Sequence, residues 1–145
     1  MKLAVGADEK LDIVNTVLAV LAEMGHAVQW FGPEVGDTQP WPAVAAQVAS
    51  KVARGEVEQG ILLCWTGTGV SIAANKIRGV RAALCVDAET ARGARLWNDA
   101  NVLCLSMRLA SPAVAKEILL KWFETSYVPN ETDDACIAAI RQLET

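Results

Sequence analysis

Gly60-Ile61-Leu62-Leu63-Cys64-Trp65-Thr66-Gly67-Thr68-Gly69-Val70-Ser71-Ile72-Ala73-Ala74-Asn75-Lys76 decides how this chain is read. The apolar run over 60–63 suits a strand covered on both faces, which shows no polar alternation. Two glycines and two threonines then predict a tight turn, and 70–76 reads as the first turns of a helix. A thiol at the C-terminal end of a strand therefore stands beside a glycine-rich turn whose N–H groups point outward. That layout suits a base next to an anion hole. The same residues equally suit a plain strand–turn–helix corner with a buried cysteine, because Gly-rich turns of this kind are common.

Outward from this corner, strand and helix patterns alternate along the whole chain. Residues 2–6 read as a strand, and 11–24 as an amphipathic helix with Leu11, Val14, Val17, Leu18 and Leu21 on one stripe. Gly25 closes that helix, 27–31 begins the next strand, and 32–42 is a Gly- and Pro-rich loop. A helix over 43–54 precedes the central strand at 60–64. Strands at 81–86 and 102–105 flank a helix over 88–97. Ser111-Pro112 predicts an N-cap with proline at the first helical position, opening a helix over 113–123. After the Tyr127-Val128-Pro129-Asn130 break a last helix is expected at 133–143, so that 131–145 forms a C-terminal helical segment. Five strands alternating with helices predict an α/β fold: a three-layer α/β/α sandwich around a Rossmann-like, five-stranded parallel sheet in a single domain, 1–145. Ligands of such sheets bind at the strands' C-terminal ends. This groups Gly6-Ala7-Asp8, residues 64–69 and residues 106–108 at one rim.

Composition narrows the function classes. The chain has 145 residues, 52% of them apolar and 21% charged, which excludes a disordered or fibrous protein. No apolar run reaches a membrane span, and the amino terminus lacks the pattern of a signal peptide. A net charge of −4 without a Lys/Arg cluster argues against nucleic acid. A soluble cytoplasmic protein is expected. Cys64, Cys85, Cys104 and Cys136 form no CxxC pair, and one histidine, His26, accompanies them, so neither a zinc site nor any cofactor is predicted. His26 is expected to be a solvent-exposed turn residue far from the rim. Trp30 and Trp122 read as core. Arg92 and Arg95 read as solvated residues of their helix.

With the rim assembled, the chain resembles the ribose-5-phosphate isomerase type B family, which includes the galactose-6-phosphate isomerase subunits. The likeness is carried by residues 64–76, by Gly79-Val80-Arg81-Ala82-Ala83-Leu84-Cys85, and by Trp97-Asn98-Asp99-Ala100-Asn101-Val102-Leu103. The resemblance implies aldose–ketose isomerisation through a cis-enediol, with Cys64 as the base. It implies that Thr66, Gly67, Thr68 and Gly69 hold the developing enediolate. Asp8 matches a carboxylate after the first strand, Asn98 a residue contacting sugar hydroxyls, and Arg108 an arginine near the phosphate. It also implies a small-molecule sugar substrate and a homodimer, or a tetramer built from it, with the site at the subunit interface.

Several family positions carry other residues here. Trp97 stands where a ring-opening histidine is usual, Glu9 where a histidine follows Asp8, and Trp65 where a small residue follows the cysteine. Pro40-Trp41-Pro42 replaces Asp-Tyr-Pro. Pro129-Asn130-Glu131, with Asp133 and Asp134, replaces the C-terminal phosphate-clamping arginines. An indole donates one hydrogen bond but shuttles no proton near pH 7. Carboxylates oppose a phosphate where arginines would bind it. Trp41, Trp65 and Trp97 therefore either fill space or present an apolar face to a sugar. Two readings stay open: an isomerase-like enzyme with an altered or differently anchored substrate, and a non-catalytic sugar-binding or regulatory module or inactive subunit of a hetero-oligomer.

Overall fold

In the computed structural model, residues 1–144 are described. They form β1 (Lys2–Ala7), α1 (Asp12–Glu23), β2 (Ala27–Phe31), α2 (Trp41–Ala53), β3 (Gln59–Cys64), α3 (Thr68–Ala74), β4 (Ala82–Leu84), α4 (Ala88–Asn98), β5 (Val102–Ser106), α5 (Pro112–Glu124) and α6 (Glu131–Gln142). The strands are all parallel and stand in the order β2-β1-β3-β5-β4. The three central strands are apolar on both faces because helices cover both. One core joins Leu3, Val5, Ile61, Leu63, Leu103 and Leu105 to α1, α4 and α5. The other joins Ala4, Leu62, Cys64, Val102 and Cys104 to α2 and α3. Every expected strand and helix is present.

Boundaries differ where local chemistry outweighs pattern. The Pro-Trp-Pro segment, expected to be loop, opens α2, with Pro40 at its N-cap position and Pro42 in the first turn. Proline loses nothing there, since first-turn N–H groups have no intrahelical partner. The helix after the Gly-rich turn starts at Thr68 rather than 70, behind Gly67 in the left-handed region at φ 76°. The strand expected at 81–86 shortens to Ala82–Leu84, and Asp87 then caps α4 by accepting from Thr90 N at 2.7 Å. The Ser111 cap of α5 is as expected, accepting from Val114 N at 3.2 Å. Asn130 accepts from Asp133 N at 2.9 Å and starts α6 at Glu131, two residues before the expected position. Glu131, Asp133 and Asp134 then lie in the first helical turn, where negative charge complements the helix N-terminus.

Candidate functional site

Strand register brings the rim residues into one row. Ala7 pairs with Leu63 and Cys64 pairs with Ser106, so Asp8, Cys64 and Ser106 follow one another on three neighbouring strands about 4.8 Å apart. The sheet order reverses between β1 and β3, and the crevice outside such a switch point is where α/β sheets bind ligands. Cys64 is 5% exposed and packs in the α2–α3 core. Its carbonyl accepts from Met107 N at 3.0 Å, and the Trp65 carbonyl accepts from Arg108 N at 2.9 Å. The buried Ser106 hydroxyl donates to the same Trp65 carbonyl at 3.1 Å and accepts from Leu109 N at 3.2 Å. The loops after β3 and β5 are thus stitched together, with Arg108 adjacent to the turn.

Sterics fix the turn itself. A Cβ at Gly67 would lie 2.6 Å from Leu84 Cδ1 and 2.9 Å from the Leu105 backbone, so only glycine fits this left-handed position. At Gly69 a Cβ would meet the Trp41 ring at 3.0–3.3 Å, which shows the indole lying across the first turn of α3. The Thr66 and Thr68 hydroxyls hydrogen-bond to each other at 2.7 Å on the exposed side. The N–H groups of the first turn of α3 have no intrahelical acceptor. Trp41 and Trp65 remain 42% and 57% exposed, so two indoles border the turn without being core. Asp8 is half-buried, and its Oδ1 has no hydrogen-bond partner. Burial pushes its carboxyl above the ordinary carboxylate value against backbone hydrogen bonds, with Glu9 adding a smaller push upward. Glu9 itself is exposed and bridges to Thr38 of the loop after β2.

Residues 3–140 match the Ribose/Galactose Isomerase family. Ribose-5-phosphate isomerase B of Escherichia coli is 40% identical over 127 residues, covering 87% of this chain and 85% of its own length. D-erythrulose-4-phosphate isomerase of Pectobacterium atrosepticum is 37% identical over 129 residues, covering 88% and 85%. The solved type B ribose 5-phosphate isomerase of Trypanosoma brucei superposes with a TM-score of 0.94 at 40% identity, over 99% of this chain and 98% of that one. The chain belongs to this family. Its fold is that of the ribose/galactose isomerases, as the resemblance implied.

Two of the residues that the family likeness assigns to the site, Trp97 and Asn98, lie at the other end of the sheet. They close α4, which runs back from the C-terminal end of β4 to the start of β5. Arg81, just before β4, donates from Nε to the Asn98 carbonyl at 3.1 Å. The six residues of β3 separate the two ends by roughly 17 Å. Within one chain, Asp8, Cys64, Thr66, Gly67, Thr68, Gly69, Trp41, Trp65 and Arg108 are brought together, whereas Trp97 and Asn98 are not. Trp97 lies across Gly93 under the Arg92 guanidinium, 5.5 Å from the ring centroid, and is 50% exposed.

Asn98 is held by residues that sequence reasoning passed over. Asp99 takes a left-handed backbone at φ 45° and ends α4. Its carboxylate pairs with Arg81 at 3.2 Å and Arg95 at 3.5 Å. Arg95 also donates to the Thr125 carbonyl and lies over Trp122 at 5.5 Å. The expectation that Arg95 is solvated is therefore corrected: its side chain is 11% exposed, and burial lowers its pKa below the ordinary value. Arg92, ion-paired to Glu89, keeps more solvent. Trp122 is fully buried as expected, donating from Nε1 to Gln59 Oε1 at 2.7 Å, but Trp30 is only half-buried beneath Lys10. His26 does lie far from the rim, yet it is not exposed. Its ring packs tilted against Phe123, 4.3 Å between centroids, and its Nε2 is buried, so desolvation lowers its pKa. Cys85 and Cys104 are core thiols, and burial pushes that of Cys85 up to about 12. Among the described residues no three His, Cys, Asp or Glu side chains are grouped to hold a metal, and no helix is long and apolar enough to cross a membrane.

Proposed function

We propose that this protein is an aldose–ketose isomerase that works through a Cys64-generated cis-enediolate. The observation that carries the reading is the placement of Cys64 at the end of β3, directly before the turn that Gly67 and Gly69 hold open. The Cys64 sulfur takes a proton from the hydroxyl-bearing carbon beside the carbonyl and returns it to the former carbonyl carbon, while the proton of that carbon's hydroxyl passes to the former carbonyl oxygen. The enediolate oxygen that forms between these steps accepts from the turn N–H groups and the Thr66 hydroxyl, donors fixed before the charge develops. Asp8 and Arg108 flank the row and orient substrate hydroxyls and charge. The relatives named above are sugar-phosphate isomerases of C4 and C5 substrates, and this chain takes a sugar of the same size class.

The separation of Asn98 from Cys64 within one chain favours a homodimer that completes each site with the end of α4 from the second copy. A twofold axis beside α3 sets the start of one α3 against the end of the other, which joins Gly67 of one copy to Asn98 of its neighbour. Ile72, midway along α3 and 61% exposed, provides apolar surface for that pairing. The test is deuterium exchange in D2O, followed by proton NMR, with free and phosphorylated C4 to C6 aldoses and ketoses. Exchange beside the carbonyl of one substrate, lost in Cys64→Ala, is expected; unchanged exchange in the variant would sink the mechanism.

A second reading, a sugar-binding module or inactive subunit, draws on two observations: the sole histidine lies far from the rim, and the first turn of α6 is acidic. Saturable sugar binding without exchange across the panel would select it.

A further inference from the structure

We infer that the cavity between the end of α3, β4 and the end of α6 anchors the phosphate of a phosphorylated sugar, with Lys76 and Arg78 as its cations. The cavity measures about 700 Å³, and its walls include Lys76, Arg78, Arg81, Asn98, Ile140 and Glu144. Its charges divide clearly. The Arg81 guanidinium is already engaged by the Asp99 carboxylate and by the carbonyls of Asn98 and Asp99. Glu144 accepts from Gly79 N at 2.9 Å, an occupation that leaves its charge in the wall. Lys76 and Arg78 have no carboxylate within 4.0 Å among the described residues. Both side chains are exposed, and two cations on one concave wall, neither engaged by a described carboxylate, add their fields at a single dianion.

The competing location is unsuited. At the start of α6 a phosphate would face Glu131, Asp133 and Asp134, and the Tyr127 hydroxyl there already donates to Asp134. Asn98 ties the cavity to the proposed site, since it lines the cavity and is the residue expected to reach the sugar. This inference rests on the dimer reading above: the copy that lends Asn98 lends its cations with it. Anchor and thiol then belong to different subunits, and the distance between them selects the length of the sugar.

The experiment titrates inorganic phosphate into the full chain by isothermal calorimetry, using wild type, the double variant Lys76→Gln/Arg78→Gln, and Glu144→Gln. The substituted side chains lie on the surface or keep their hydrogen-bonding shape, so the fold is retained. Losing both cations is expected to weaken phosphate binding about tenfold or more. Removing the charge of Glu144, the one carboxylate among the described residues of the wall, should tighten it several-fold. No phosphate binding by wild type, or equal binding by the double variant, overturns the inference. The exchange assay separates it from the isomerase reading. With a sugar phosphate that exchanges, the double variant should raise KM and leave kcat in place; an unchanged KM removes the anchor and leaves the isomerase. Phosphate binding that depends on Lys76 and Arg78, with no sugar phosphate exchanging, leaves the anchor and removes the isomerase.

Discussion

At the C-terminal end of the sheet, backbone sets position. Cys64 is placed by ladder register, Gly67 by a left-handed φ that no side chain would tolerate, and Trp65 and Arg108 by paired main-chain bonds between two loops. At the opposite end, side-chain charge sets position: Asn98 rests on Asp99, held between Arg81 and Arg95. The difference explains which substitutions each end accepts. A backbone-built turn keeps its shape when its outward side chains change, so Trp65 and Trp41 can border it without disturbing Cys64. A charge-built corner keeps its shape only while its ions stay paired.

The largest expected effect tests the first half of that contrast. Cys64→Ala should lower proton exchange by about a thousandfold, the scale of a lost general base. Cys104→Ala, in the neighbouring strand, should leave exchange intact and lower stability by about 1 kcal/mol. Equal losses in both variants would mean that Cys64 matters for packing alone. Gly67→Ala comes next. The strained φ and the 2.6 Å approach to Leu84 Cδ1 should together cost about 2–4 kcal/mol in urea unfolding. A midpoint equal to wild type would show that the turn is not fixed by its backbone.

Much of this is legible in the sequence, for definite reasons. Buried central strands leave continuous apolar runs, so 60–64 and 102–105 were readable within a residue, and Ser111-Pro112 announced α5 because cap and proline act locally. The start of α2 was not legible: Pro40-Trp41-Pro42 looks like a loop until Trp41 is seen seated on Gly69, a tertiary contact. The Arg81–Asp99 bond spans 18 positions, from the segment before β4 to the end of α4, and nothing in the local pattern separates a buried Arg95 from the more exposed Arg92. The placement of Asn98 was readable in principle. A helix joining two parallel strands must return to the strands' starting end, so residues closing α4 were bound to lie opposite Cys64.

Asp99→Asn probes the charge-built end. Asparagine keeps the left-handed backbone accessible and a similar shape, so the change isolates the carboxylate's charge. Two arginines lose their shared counter-ion while Arg95 stays buried. Because Asp99 is about one-third exposed, the cost belongs at the lower end for a charged pair, about 1–2 kcal/mol in urea unfolding. An effect near zero would show that the corner is held by the carbonyl contacts of Arg81 instead.

The smallest effect crosses the comparison, because Asp8 is a titrating group at the backbone-built end. Its carboxyl is raised above the ordinary value of 3.8, first by burial. The folded state therefore binds the proton more tightly than the unfolded state, and stability falls as pH rises from that ordinary value through the raised one. Above that window the loss is constant; below it there is none. Asp8→Asn removes the titration, so its stability should exceed wild type at neutral pH, and that advantage should vanish at pH 3. Urea midpoints at the two pH values make the check. An advantage that persists at pH 3 would trace to packing, whereas one confined to neutral pH marks Asp8 as a carboxylate that the rim retains at a cost to folding. That sign is expected of a group kept for binding at the switch point beside Cys64.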